Sequence, residues 1–196
     1  MVKKITSGGI INLYLNDYGK RYYLREISFL LGKPHQSVKP YVEKLAKENI
    51  LIKYERKNLV EYGLNFENKK IYDYLVISEK EKTVGRLNED VLFSLFYEKL
   101  SVFFGKASFL IFGSFVIESK KNSDIDLVVI GKINISKQIK EFEEIYNKKI
   151  HKVQVSNLEK LNLSLIKEIY KKHLILNNTE CMIRFFGELY EKNKLV

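Results

Sequence analysis

Cysteine and proline are nearly missing from this 196-residue chain, which has one of the former and two of the latter. A single thiol, Cys181, can close no internal disulfide and leaves no zinc-finger spacing, which excludes a disulfide scaffold and points to a reducing cytosol. Long hydrophobic runs are absent too. The longest nearly apolar stretch, Ala107 to Ile117, has eleven residues, with two Ser and a Gly among them. A spanning helix needs about 18 to 20, so the chain reads as soluble, cytoplasmic and without a membrane partner. Met1-Val2-Lys3-Lys4 leads into Ile5-Thr6-Ser7-Gly8-Gly9 rather than into an apolar stretch, and no secretory signal is expected. With so little proline, no internal repeat and no low-complexity tract, a domain boundary has to be found from charge and periodicity.

What the chain does have is a core-sized apolar content, 45%, and an excess of positive charge, +10. That excess is uneven. Residues 1–70 carry 14 Lys/Arg and 7 Asp/Glu, a balance of +7, leaving 20 against 17, or +3, for residues 71–196. Positive charge gathered in one segment suits a polyanionic partner, since neutralising phosphates releases counterions whatever the nucleotide sequence. On charge alone, a solvated basic surface accounts for it equally well.

Pattern separates the two readings. Ile10, Ile11, Leu13, Tyr14 and Leu15 mark a short first helix, and Leu24, Ile27, Leu30 and Leu31 a second that Gly32 closes. Over 33–49 the apolar residues Val38, Tyr41, Val42 and Leu45 share one stripe while Gln36, Lys39, Glu43, Lys44 and Lys47 fall elsewhere. Residues 50–56 and 59–64 are β-rich runs around Lys57-Asn58, which predicts a hairpin. Three helices and a basic-tipped hairpin make a winged helix-turn-helix. The segment LGKPHQSVKPYVEKLAKENILIKYER resembles that of prokaryotic, especially archaeal, transcription regulators. The resemblance implies duplex DNA as a partner, with His35, Gln36, Ser37 and Lys39 facing DNA and Lys53, Arg56 and Lys57 on the wing. Gln36 is chemically suited to read adenine. Pro40 lies inside the proposed recognition helix, so that helix either starts near Ser37 as its N-cap or kinks. Winged helices also serve as protein-docking modules, and that alternative stays open.

Ile71–Ile77 reads as a helix and the polar run Ser78–Thr83 as an exposed linker, which places the boundary near residue 80: residues 1–80 form one domain and 81–196 another. Val91, Leu92, Leu95, Phe96, Leu100, Phe103 and Phe104 then repeat at helical spacing as a buried helix. Ala107–Phe112 is an uncharged apolar strand ending at Gly113-Ser114. Asp124-Ile125-Asp126 follows, leading Leu127–Ile130. Residues i and i+2 of a strand share a face, so two carboxylates stand side by side at the head of an apolar strand. Held so close they repel unless a cation intervenes, and hard oxygen ligands suit Mg²⁺. Gly113 permits close approach to the backbone, and Ser114 is placed to open a short helix whose N–H groups favour phosphate. Together they describe a Mg²⁺-bound nucleoside triphosphate.

FLIFGSFVIESKKNSDIDLVVIG resembles the signature of the minimal nucleotidyltransferases of the DNA polymerase beta superfamily, a Gly-Ser turn followed by Asp-x-Asp on the next strand. The likeness extends over about 88–190. The fold class it implies, with the N-terminal reading, is α+β: a winged helix-turn-helix followed by a nucleotidyltransferase fold, a mixed sheet flanked by helices. Helices are expected at 136–146 and 158–170, strands at 150–155 and 173–176, and an amphipathic helix at the end. The resemblance assigns Asp124 and Asp126 as the catalytic, metal-holding pair and Gly113 and Ser114 as the nucleotide contacts. The family's third carboxylate, which completes one metal site and can activate the attacking hydroxyl, lies on a later strand; Val153-Gln154-Val155 stands there, and Gln154 is neutral. Glu141 or Glu144 on the preceding helix are the substitutes within the sequence. His151 reads as a surface strand residue. The functional expectation is Mg²⁺-nucleoside triphosphate binding coupled to DNA binding, with transfer of a nucleoside monophosphate to a hydroxyl left open. The alternative is an inactive nucleotidyltransferase fold acting as a DNA-binding regulator. A homodimer is left open.

Overall fold

Thr6 starts the first helix by accepting a hydrogen bond from the Gly9 N–H at 2.9 Å, the N-cap arrangement that satisfies one of a helix's unpaired donors. The structure, a computed structural model, describes residues 4–57, 59–116 and 123–195, with the Arg56 side chain outside that set. It divides into two compact units, Met1–Glu79 with Phe186–Val196, and Lys80–Phe185.

In the first unit the elements are α1 (Ser7–Ile11) with a following 3-10 turn, β1 (Arg21–Tyr23), α2 (Leu24–Leu30), α3 (His35–Lys47), β2 (Leu51–Arg56) and β3 (Leu59–Leu64). The three strands form an antiparallel sheet in the order β1-β3-β2. Ile10, Ile11, Tyr14, Leu15, Ile27, Val38, Val42 and Leu45 are buried, whereas Leu30, read from the sequence as part of the second stripe, is 50% exposed. Burial requires a partner for the Tyr14 hydroxyl, which donates to the Tyr62 carbonyl at 2.9 Å. Arg56 pairs with Leu59 across the hairpin, and Lys57 turns it with φ of 57°. Ser37 is not an N-cap: Pro34 holds that position, the Ser37 N–H bonds the Pro34 carbonyl at 3.0 Å, and α3 runs through Pro40. Pro40 is exposed, and the helix continues past it.

Residues Ser78–Thr83 are not a linker. They lie within α4 (Ile71–Glu89), with Ser78, Glu79 and Thr83 buried. Glu and Lys are good helix formers, and the buried hydroxyls are satisfied: Ser78 donates to the Gly8 carbonyl at 3.1 Å and Thr83 to the Ile175 carbonyl at 3.0 Å.

The second unit contains α5 (Val91–Ser101), β4 (Ser108–Phe112), β5 (Ile125–Ile130), α6 (Ser136–Tyr146), β6 (Ile150–Val155), α7 (Leu163–Lys171) and β7 (His173–Ile175); the last helix, α8, is Thr179–Glu191. The sheet order is β6-β5-β4-β7, with β5 and β6 parallel and the other pairs antiparallel. Ile125, Leu127 and Val129 of β5 join Phe93, Phe96, Phe109, Phe115 and Phe142 in a buried cluster. The Phe96 and Phe142 rings lie 4.7 Å apart, tying α5 to α6. The mixed sheet flanked by helices is the architecture expected of this half. No helix among the described residues is long and apolar enough to cross a membrane.

Candidate functional site

The alternation that sends Ile125, Leu127 and Val129 into the core turns Asp126 to the other face of the sheet, and Asp124, just before the strand, shares its neighbour, the His151 ring. Strand register builds the rest. Asp126 is opposite Phe112 on β4 and opposite His151 on β6. At the end of β4, Gly113 has φ of 79°, a conformation that side chains rarely adopt. A Cβ there would sit 2.5 Å from Asp126 Oδ2. The turn backbone and the carboxylate are thus in a contact that only glycine permits. Ser114 follows, exposed, opening a 3-10 turn over Ser114–Val116, shorter than the helix the sequence suggested.

The Asp126 side chain is 27% exposed and that of Asp124 46%. Burial raises the Asp126 carboxyl above the usual range, the His151 imidazole pulls it back, and the Asp124 and Glu168 carboxylates push it up. The His151 ring faces both acids, with Nδ1 3.4 Å from Asp126 Oδ1 and Nε2 3.9 Å from Asp124 Oδ2. Lys148, buried, donates to the Ser123 carbonyl at 3.2 Å, next to Asp124. Two oxygen donors side by side against an accessible turn can share a hard cation with a ligand that brings its own oxygens.

Gly113, Ser114, Asp124 and Asp126 are therefore brought together, and Gln154 is not. It pairs in register with Val129, and its amide donates to the Gly131 and Ile133 carbonyls at 3.0 and 2.7 Å. Because parallel pairing begins at Ile125 with Ile150, the residue beside Asp126 is the second of β6, His151, not the fifth. Glu141 is held by Lys99 at 2.8 Å and Glu144 lies 3.8 Å from Lys140, both on α6. The acid whose charge reaches Asp126 from a helix is Glu168 on α7. Sequence reasoning gave His151 no role at the site; it was recoverable by aligning the first apolar residues of the two parallel strands.

In the first unit, His35, Gln36, Ser37 and Lys39 are exposed at the N-terminal part of α3, and Lys53 and Lys57 are exposed on the hairpin. Lys39 lies 3.7 Å from Glu43. The Arg56 side chain, also expected on the wing, lies outside the described residues.

Residues 105–180 match the profile of the family described as "Polymerase beta, Nucleotidyltransferase". That stretch contains Gly113, Ser114, Asp124, Asp126, His151 and Glu168. The chain matches no curated protein. Two solved structures of mutants of the MntA-HpeT toxin-antitoxin are similar at 14% and 15% identity with TM-scores of 0.38 and 0.39, each over 52% of this chain and over 88% and 87% of theirs. Pseudomonas aeruginosa HmgR is similar at 15% identity with a TM-score of 0.27, over 80% of this chain and 53% of its own.

Proposed function

We propose that this chain binds a Mg²⁺-nucleoside triphosphate at Asp124, Asp126, Gly113 and Ser114, turns it over slowly or not at all, and joins this site to a winged helix that binds duplex DNA. The observation that carries the reading is the packing of Gly113 on Asp126, within a stretch that matches a nucleotidyltransferase family. The chemistry of the donors fits the cation. Mg²⁺ keeps several waters and is usually held by one or two carboxylates plus substrate phosphates rather than by a protein cage, and no group of three or more His, Cys, Asp or Glu among the described residues is arranged as one. When bound, the ion neutralises phosphate charge. The carboxylates of Asp124 and Asp126 would hold the ion, and the exposed turn at Ser114 leaves the phosphates a side from which to approach.

Turnover is the weak part. In the family that the signature resembles, a third carboxylate completes one metal site and can activate the attacking hydroxyl. Beside Asp126 on β6 this chain has His151, which offers a nitrogen donor and no anionic oxygen. This observation favours a second reading, in which the nucleotide is a ligand of a DNA-binding regulator rather than a substrate.

In the first unit, two helices lead to α3, whose early residues are exposed, and an antiparallel hairpin follows with Lys53 and Lys57 outward. This supports Gln36, Ser37 and Lys39 at base edges and the hairpin lysines on phosphates, and Arg56 is assigned with them from the sequence resemblance.

Calorimetric titration with Mg²⁺ and ATP tests the reading. The double variant Asp124→Asn with Asp126→Asn is expected to lose affinity by more than about 100-fold while staying folded, because like-charge repulsion goes with the ligands. Unchanged affinity in the double variant excludes this site.

A further inference from the structure

Arg86 lies near the end of α4, in the same unit as the Gly113–Val116 turn. Its guanidinium makes two contacts: one terminal nitrogen is 2.8 Å from Asp90 Oδ2 and donates to the Phe115 carbonyl at 3.3 Å. The side chains of Arg86 and Asp90 are only 16% and 6% exposed. Asp90 is itself fixed, since its other oxygen accepts from the Phe93 N–H at 3.1 Å and caps α5. A buried ion pair is a poor source of net stability, because desolvating both charges offsets their attraction. What this one does provide is position: a charged nitrogen, paired with the acid that caps α5, set against one particular carbonyl of the turn.

That carbonyl matters because the turn has no slack on either side. The Phe115 ring is fully buried in the core. Gly113 packs on Asp126 so closely that not even a Cβ fits between them. We infer that Arg86 is a positioning residue for the nucleotide site: with its orientation set by Asp90, it holds the Phe115 carbonyl from behind and keeps Gly113 and Ser114 in place against Asp126. This rests on the function proposed above. Arg86 touches no ligand in this account; it acts through the turn.

The test uses the full chain and inorganic tripolyphosphate with Mg²⁺ as the probe. Removing Arg86 alone leaves a buried charge on Asp90, so the informative variant is Arg86→Met with Asp90→Asn, which keeps the bulk and the cap of α5. It is expected to stay folded. Amide order parameters of Ser114 and Phe115 drop from the rigid value of about 0.85 to below about 0.6, and tripolyphosphate affinity falls about tenfold. Arg86→Lys leaves Asp90 paired and tests the same point should the double variant fail to fold: an ammonium is a point charge on a flexible stem without the guanidinium's fixed fork, and both readings shift in the same direction by less. Order parameters that stay at the parental value overturn the inference, and so does a loosened turn with parental affinity. A parent that binds no tripolyphosphate defeats the nucleotide reading instead, and the order parameters then decide the clamp by themselves.

Discussion

The two units place the side chains proposed for function differently. In the unit of α1–α3 and β1–β3, the side chains of functional interest lie outside: Gln36, Lys39, Lys53 and Lys57 are exposed, and the pairs Lys39–Glu43 at 3.7 Å and Lys44–Glu48 at 3.8 Å are surface contacts. Such pairs contribute between nothing and about 1 kcal/mol. In the unit of β4–β7, charge is drawn under the surface, in Asp126 against Gly113, Arg86 on Asp90 and Lys148 on the Ser123 carbonyl. A basic surface tolerates small displacements because its field is long-ranged. A carboxylate packed on a glycine turn does not. Substitutions are therefore expected to have graded effects in the first unit and near all-or-none effects in the second.

The largest change that sharpens this contrast is a gain. His151→Asp places a third carboxylate beside Asp126, and a positioned base alone is typically worth about 10²- to 10⁴-fold. Transfer of labelled nucleotide to a competent acceptor is expected to rise about 100-fold. The variant should also be destabilised without Mg²⁺ and recover with it, because three carboxylates repel until a cation binds. Robust transfer by the parent, unchanged in the variant, would show that the imidazole is no impediment.

Next comes Gly113→Ala. The added Cβ meets Asp126 Oδ2 at 2.5 Å in a backbone with φ of 79°. Strain of this kind costs on the order of 1–3 kcal/mol, so calorimetry should show at least a tenfold loss of Mg·ATP affinity and denaturation a lower midpoint. Parental values for both would mean that the turn and the carboxylate are not held together.

In the first unit, Lys53→Ala with Lys57→Ala should flatten the log-log salt dependence of duplex binding by about two units, at about 0.9 per phosphate contact. Equal slopes for parent and variant would remove the hairpin from the interface. Smallest is Gln36→Ala, expected to relax base preference at one position by about 1 kcal/mol with the salt slope unchanged. A uniform loss across sequences would make Gln36 a backbone contact.

How much of this was legible in the residues differs between the units for the same physical reason. The stripes of α2 and α3 and the Lys57 turn follow from periodicity, which is a local property. β1 escaped because three residues, Arg21–Tyr23, cannot display a period; only pairing with β3 makes them a strand. Ser78–Thr83 read as linker because its residues are polar, yet the buried hydroxyls of Ser78 and Thr83 find carbonyl partners distant in the chain. In the second unit Gly113-Ser114 and Asp124-x-Asp126 were legible as a local signature. What stands beside them was not. The exchange of Gln154 for His151 comes from register, which no single strand carries. The role of Arg86 depends on the approach of a helix to a turn 29 residues on.

The most direct test is a crystal structure of the full chain with Mg²⁺ and a non-hydrolysable ATP analogue. The expected result is the triphosphate along Gly113–Ser114, one cation shared by Asp124, Asp126 and phosphate oxygens, and His151 beside them with no second cation. A triphosphate bound elsewhere, or two cations with His151 as a ligand to one, would contradict it.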